Sequence, residues 1–325
     1  MTDSISLNKP INRFDSSIFI CPICQSRLIS EKPGQLYCSN KDCVKSQEEF
    51  IFVNGKPVLI DFSKSVVPAS AFTLNIGKSI VQRRKASLGR ILRILFQGKN
   101  PVTKANVNFL IESMKSIPDP RIFVVGGGEI GSGLEEFYAL FHDNIISFDI
   151  YDSEAIDFVA DGHLIPIRSG YFDLVIVQAV LEHVLNPYQV VSEITRILKK
   201  DGIVYAETPF MQQVHEGPFD FTRFTESGHR YLFKEYRLIS SGHTSGAGTA
   251  LIWSLSAFFT GLFRSKSGGK IARILFFWLR FFDRVIPVPY NIDAACGVFF
   301  IGQKTNITVS DLEVIAHYGG SQQIR

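Results

Sequence analysis

The chain has 325 residues, room for one large domain and a small one. Its 46% hydrophobic and 20% charged content excludes global disorder, and its formal charge of +3 is too small to argue by itself for a nucleic-acid partner. Residues 1–17 are polar and read as a flexible tail with no apolar central stretch. No signal peptide is therefore expected, and the expected location is cytoplasmic.

Residues 18–62 read as a small metal-bound domain. Four of the five cysteines lie there, as Cys21 and Cys24 in CPIC and Cys38 and Cys43 in YCSNKDC. Two such pairs suit two knuckles that bring four thiolates to one tetrahedral ion, so a structural zinc ribbon is expected. A disulfide pair or a redox CxxC would need a secretory signal or a thioredoxin-like context, and neither is visible. The following EEFIFVNGKPVLIDF alternates around Asn54-Gly55, the pattern of a hairpin closing the ribbon.

Residues 63–102 form a linker. Within it SIVQRRKASLGRILRILFQGK sets Arg83, Arg84, Lys85, Arg90 and Arg93 among apolar residues, the pattern of a basic amphipathic helix. An anionic membrane, RNA or a solvated face on a packed helix are its three readings. PVTKANVNFLIESMKSIPDP is the expected helix before the main sheet.

The main domain is expected over residues 103–305. Ile122 to Val125 forms a buried strand that breaks at a glycine-rich turn and enters a helix. Gly126, Gly128 and Gly131 fit G-x-G-x-x-G, the spacing that lets backbone close on a nucleotide beside a helix N-terminus. A second strand ends in Asp149, placed to hold a ribose hydroxyl pair. Asp161 follows a short third strand, and a fourth, Phe172 to Val177, delivers Gln178, Glu182 and His183 to the same sheet edge. NPYQVVSEITRILKKDGIVYAETPF then gives a helix, a Lys-Lys-Asp-Gly stop and a fifth strand.

The set GGGEIG, SFDI, ADGHLIPI, FDLVIVQAVLEHV and EITRILKKDGIVYAETPF resembles class I S-adenosylmethionine-dependent methyltransferases of the type 11 branch. The resemblance implies an α/β, Rossmann-like seven-stranded sheet. It also implies cofactor contacts from Gly126 and Gly128 near the methionine moiety, Asp149 on the ribose, Asp161 near the adenine amino group and Gln178 lining the pocket, with Gly131 and Gly162 as further cofactor-binding residues. Val124 stands where the family often has an acid two positions before the first glycine. The same glycines and Asp149 also satisfy a dinucleotide fingerprint. A short-chain oxidoreductase would need a downstream Tyr-x-x-x-Lys, and the only such spacing, Tyr37 to Lys41, lies among the cysteines.

After the fifth strand comes MQQVHEGPFDFTRFTESGHRYLF, expected on the acceptor side. It resembles a type 11 subgroup with H-x-x-P-x-D-x-x-R-F-T, matched here by His215, Pro218, Asp220, Arg223, Phe224 and Thr225. That subgroup is associated with glycoconjugate biosynthesis. His215 is a candidate base or a loop-ordering group, Arg223 a partner of Asp220 or an anchor for an acceptor anion, and His183 a further pocket residue. The ribbon segment is similar to small zinc-ribbon proteins that activate tRNA and ribosomal methyltransferases, and to ribbons in some ribosomal RNA guanine methyltransferases.

The sixth and seventh strands are expected at YRLISSG and at Gly297 to Gly302. Between them residues 250–285 form an apolar insert of two helices, whose lysine and arginine stripe leaves a broad apolar face. A membrane surface, self-association and a lid over a lipophilic acceptor are its readings, with peripheral attachment at an inner membrane surface as the corresponding location. Residues 306–325 read as a C-terminal tail. Together these features point to a zinc-ribbon methyltransferase acting on a small-molecule, sugar or glycoconjugate acceptor. An RNA methyltransferase and a methyltransferase-like scaffold are the alternatives.

Overall fold

The computed structural model describes residues 16–30, 32, 34–73 and 100–322. Most of the expected tail at 1–17 and the basic helix expected at 83–96 lie outside the described residues. In chain order the elements are β1 (Leu28–Ile29), β2 (Tyr37–Cys38), β3 (Phe52–Val53), β4 (Lys56–Leu59), α1 (Ser70–Thr73) and α2 (Pro101–Lys115). Next come β5 (Ile122–Val125), α3 (Glu135–Phe141), β6 (Ile145–Asp149), β7 (Phe158–Ala160), β8 (Phe172–Gln178), α4 (Pro187–Ile197) and β9 (Leu198–Pro209). The remainder comprises α5 (Glu226–Leu232), β10 (Tyr236–Ser245), α6 (Ala247–Leu262), α7 (Lys266–Leu275), α8 (Val288–Asp293), β11 (Gly297–Lys304) and α9 (Asp311–Ala316).

Two compact units divide these elements. The first gathers the described residues of Met1–Arg84 with Met114–Ile176 and Tyr188–Gly202. Its strands run in the order β8-β5-β6-β7-β4-β3, with β5, β6, β7 and β4 mutually parallel along their contacts. Because β5 is followed by β6 on one side and by β8 on the other, the strand order reverses beside β5. That reversal leaves a crevice outside the carboxyl ends, where open α/β sheets bind ligands. Phe123, Phe148, Phe158 and Phe172 form a ring row across four successive strands, with centroids 4.6 Å apart for Phe123 and Phe172 and 5.5 Å for Phe148 and Phe158. On α4, Val190, Val191, Ile194 and Ile197 are buried, the spacing of one helix face.

The ribbon hairpin adds two strands to the seven expected. Asn54 and Gly55 both have positive φ, 49° and 77°, the conformation of a two-residue turn matched to strand twist. The hairpin's second strand, β4, pairs in parallel with β7 through Val58–Val159 and Leu59–Ala160. A three-residue β7 would otherwise offer unpaired backbone at a sheet edge. Lys56 reinforces the join with an ion pair to Asp152 at 2.9 Å. The Lys-Lys-Asp-Gly stop is also placed differently from the expectation. The helix ends at Ile197 and these four residues already belong to β9, with Asp201 at φ 62° absorbing the turn.

The second unit comprises Lys85–Ser113, Val177–Pro187 and Ile203–Arg325, in its described residues. Here β11 lies antiparallel to both β9 and β10, and Phe300 of β11 stacks on Phe233 at 4.8 Å. The insert begins as expected with a helix, α6, but its second helix stops at Leu275 and Phe277–Arg284 continues as a 3₁₀ segment. Small residues make the contact between these pieces. A Cβ on Gly269 would stand 2.1 Å from Thr260 Oγ1, and one on Gly248 2.1 Å from the Leu279 carbonyl. Such close backbone approach leaves the large side chains outside: Phe258, Phe263, Leu275, Trp278, Phe281 and Phe282 are all exposed. Among the described residues no helix is long and apolar enough to cross a membrane.

Candidate functional site

In the first unit the glycine turn and Asp149 are built as one piece. Gly126 follows β5 at φ 71°, a conformation L side chains rarely adopt. Gly127 N–H donates to the Phe148 carbonyl at 2.8 Å, and Gly128 N–H donates to Asp149 Oδ2 at 2.9 Å. A Cβ on Gly128 would meet that oxygen at 2.6 Å, so only glycine admits the carboxylate here. The second Asp149 oxygen accepts from Ile150 N–H at 2.7 Å, which fixes the buried carboxylate at the end of β6. Gly131 accepts from Leu134 N–H at 3.1 Å, but the left-handed turn before α3 falls on Gly133, at φ 88°, which the fingerprint did not single out.

Asp161 lies just beyond β7 and is buried. It accepts from Ser65 Oγ at 2.6 Å, from His163 N–H at 3.0 Å and pairs with His163 Nδ1 at 2.6 Å. Burial alone would raise its carboxyl, but the imidazole and hydroxyl outweigh it and hold the group below the usual carboxylate range. Ser65 and His163 were missed in the sequence. His163 carried a faint signal as the residue two after Asp161, whereas Ser65 is 96 residues away. Gly162 is not sterically required, since a Cβ there would make ordinary contact with Val190 at 3.6 Å.

The four cysteines also belong to the first unit. Cys21, Cys24, Cys38 and Cys43 bring their sulfurs within 4.8 Å of one another, and none forms a disulfide. Cys21 and Cys43 stand 3.8 Å apart, and Cys24 and Cys38 3.3 Å. Thiolates 2.3 Å from one tetrahedral zinc would be about 3.8 Å apart, so the residues present fit the ion. Positive φ at Gln25, 61°, turns the first knuckle, whose Gln25 N–H donates to the Cys21 carbonyl at 2.8 Å. Cys296 lies apart from this set, buried among strands, where burial pushes its thiol up to about 12.

In the second unit two acidic centres stand out. Gln178 Nε2 donates to Glu207 Oε2 at 2.6 Å, and Thr103 Oγ1 donates to Oε1 of the same carboxylate at 2.9 Å. Burial raises the Glu207 carboxyl, against the pull of hydrogen bonds from Tyr205, Gln178 and Thr103. Glu207 was missed too, although one acid inside the apolar strand IVYAETPF was its signal.

The other centre joins Glu182 and His183, after β8, to the loop after β9. Glu182 is fully buried, and neither carboxylate oxygen has a hydrogen-bond partner among the described residues. Burial pushes this carboxyl up to about 8, with Arg223 opposing and Asp220 and Glu216 reinforcing the rise. His183 Nε2 lies 3.5 Å and His215 Nε2 4.0 Å from Glu182 Oε1. His183 Nδ1 bonds to the Phe219 carbonyl at 2.8 Å.

Asp220 holds the loop together. Its carboxylate accepts from His215 N–H at 2.9 Å, stands 3.3 Å from His215 Nδ1 and takes two guanidinium N–H bonds from Arg223, one of them 3.0 Å. Burial would raise this carboxyl, but Arg223 and the His215 backbone hold it well below the usual range. Arg223 also donates to the carbonyls of Gln212 at 2.9 Å, Thr222 at 2.8 Å and Gln213 at 3.2 Å. A guanidinium has five N–H groups, and these contacts commit all five. Of the two readings open in the sequence, Arg223 as the partner of Asp220 is therefore the one the loop is built on.

Residues 129–206 match the type 11 family described as a methyltransferase domain. The chain carries a methyltransferase domain over these residues. The matched stretch contains Asp149, Asp161, Gln178, Glu182 and His183, and ends before the His215–Arg223 loop. Among curated proteins none matches. Solved structures similar to this methyltransferase include an Archaeoglobus fulgidus SAM-dependent methyltransferase, 14% identical, with 66% of this chain and 98% of that one covered and a TM-score of 0.40. Another is Haemonchus contortus phosphoethanolamine N-methyltransferase 2 in complex with S-adenosyl-L-methionine, 12% identical over 69% and 59% of the two chains, TM-score 0.42.

Proposed function

We propose that this methyltransferase moves the methyl group of S-adenosylmethionine to a hydroxyl-bearing acceptor that is a small molecule, a sugar or a glycoconjugate. One observation carries the reading: a buried carboxylate and two imidazole nitrogens, from Glu182, His183 and His215, face one point. Methyl transfer is an in-line displacement from a sulfonium, so most of the catalysis is positioning. A hydroxyl acceptor must also lose a proton, and basic groups converging on one point supply that demand. Asp220 and Arg223 act on the acceptor side by holding His215 in place. The fixed Gly128–Asp149 pair supports cofactor binding through the ribose, with Gly126, Gly131, Asp161 and Gly162 completing the cofactor contacts of the first unit.

In the same reading Cys21, Cys24, Cys38 and Cys43 hold a structural zinc. The pairing of β4 with β7 and the Lys56–Asp152 bridge favour a ribbon that stabilises the fold over one that grips RNA. The exposed aromatic face of α6, α7 and the 3₁₀ segment, flanked by Lys270, Arg273, Arg280 and Arg284, supports peripheral contact with an anionic lipid surface that presents a lipid-carried acceptor.

The test is transfer of labelled methyl groups to pools of hydroxylated small molecules, glycan precursors and RNA. Labelling of the first two classes is expected. Labelling of RNA alone would replace this reading with an RNA methyltransferase, and binding of NADH without S-adenosylmethionine would overturn the enzyme class.

A further inference from the structure

We propose that Glu182, His183 and His215 form a second metal site, one that takes a divalent transition-metal ion. Their donor atoms lie within 4.8 Å of one another and come from two separate segments, the turn after β8 and the loop after β9. The tautomers are set by the outer contacts. A carbonyl only accepts, so His183 Nδ1, 2.8 Å from the Phe219 carbonyl, must carry a proton. His215 Nδ1 lies 3.3 Å from both the Gln213 carbonyl and the Asp220 carboxylate, again acceptors, and is protonated for the same reason. In the neutral rings the two Nε2 lone pairs are left to face Glu182.

With Glu182 ionised, that arrangement sets three electron-pair donors against one another. Glu182 is 0% exposed and its two oxygens have no hydrogen-bond partner among the described residues, a costly state for a carboxylate. A cation at the common point satisfies all three. Ligands about 2.1 Å from one ion stand about 3.0 to 3.5 Å apart, and the measured separations from Glu182 Oε1, 3.5 and 4.0 Å, need little closure. Two histidines and one carboxylate leave further coordination positions open, and this donor set suits a first-row transition metal better than an all-oxygen ion. The surrounding bonds also have the form of ligand support, with one imidazole N–H held by a carbonyl and the other by the buried Asp220 carboxylate.

The site itself needs only these three side chains. Its use in methyl transfer rests on the acceptor reading above: an acceptor hydroxyl bound at an open position would pass its proton more readily to water, and His215 would supply a lone pair to the ion instead of taking that proton.

Manganese provides the probe, because the ribbon's thiolates favour softer ions. Full-length protein adjusted to one zinc per chain, which the four thiolates bind more tightly, is titrated with Mn²⁺ and free Mn²⁺ is followed by electron paramagnetic resonance. One Mn²⁺ bound per chain is expected, and Glu182→Gln should weaken it at least tenfold. Asp220→Asn, which removes no ligand but alters the group that holds His215 Nδ1, should weaken it by about 10- to 100-fold. Absence of Mn²⁺ binding in the wild-type protein overturns the proposal without any variant having to fold. Unchanged binding in a folded Glu182→Gln protein also overturns it. Neither result bears on S-adenosylmethionine binding, so the cofactor reading is tested separately.

Discussion

Acidification should destabilise this protein through His229, and the size of the effect follows from its surroundings. His229 lies on α5, packed edge-on against Phe233 at 5.1 Å and close to Phe224 and Phe300. Neither ring nitrogen has a hydrogen-bond partner among the described residues, and burial pushes the imidazole down to about 3. Below the ordinary histidine value of 6.5 the unfolded chain takes up a proton that the folded chain refuses. Stability from this residue is therefore complete above about pH 6.5 and falls by about 1.4 kcal/mol for each pH unit below it, until the folded group itself titrates. At pH 5 the loss is about 2 kcal/mol. Urea unfolding of wild type and His229→Leu at pH 7.5 and pH 5, read from tryptophan fluorescence, isolates the term. The two tryptophans, Trp253 and Trp278, lie in the same unit as His229. Carboxylates and the other histidines contribute equally to both proteins, so the stability gap between them should move by about 2 kcal/mol in favour of the leucine variant on going to pH 5. A gap that moves by less than about 0.5 kcal/mol would refute the argument that His229 is held neutral by burial.

Asp149→Ala removes the carboxylate that Gly128 N–H positions, and S-adenosylmethionine affinity by calorimetry should fall by about 1.5 to 3 kcal/mol; unchanged affinity would move the ribose contact elsewhere. Metal analysis should find one zinc per chain fewer in Cys38→Ser than in wild type and no change in Cys296→Ala, and zinc-free wild-type protein prepared without chelator would remove the ribbon assignment. His215→Ala should lower turnover by about two to four orders of magnitude with cofactor affinity intact, whereas equal turnover would leave the histidine a loop-ordering role. Flotation at low salt should carry the protein up with anionic liposomes; a protein that stays at the bottom and is monomeric in solution has neither a membrane contact nor a self-association face on the insert.

The elements of this chain were legible wherever local chemistry decides them. The apolar run to Val125, Gly126 and Gly128, the carboxylate ending β6 and the paired cysteines each announce themselves through period, spacing or residue type, because strand burial, a left-handed turn and a close backbone approach make demands within a few residues. The Asn54-Gly55 hairpin was equally plain, since its turn requires two positive φ values in sequence. What the hairpin pairs with was not, because β4 meets β7 across about 100 residues and nothing in KPVL names its partner. The same holds at the sites. Asp161 could be picked out, but its hold by Ser65 could not; Arg223 offered two partners on paper, and only folding directed all five of its N–H groups at the loop's oxygens. Glu182 and His215 are 33 positions apart in the chain and face each other in the fold. Spacing along a chain registers chemistry inside one turn or one strand, whereas a buried carboxylate set against an imidazole from another loop is decided by which backbone segments the packed sheet brings together.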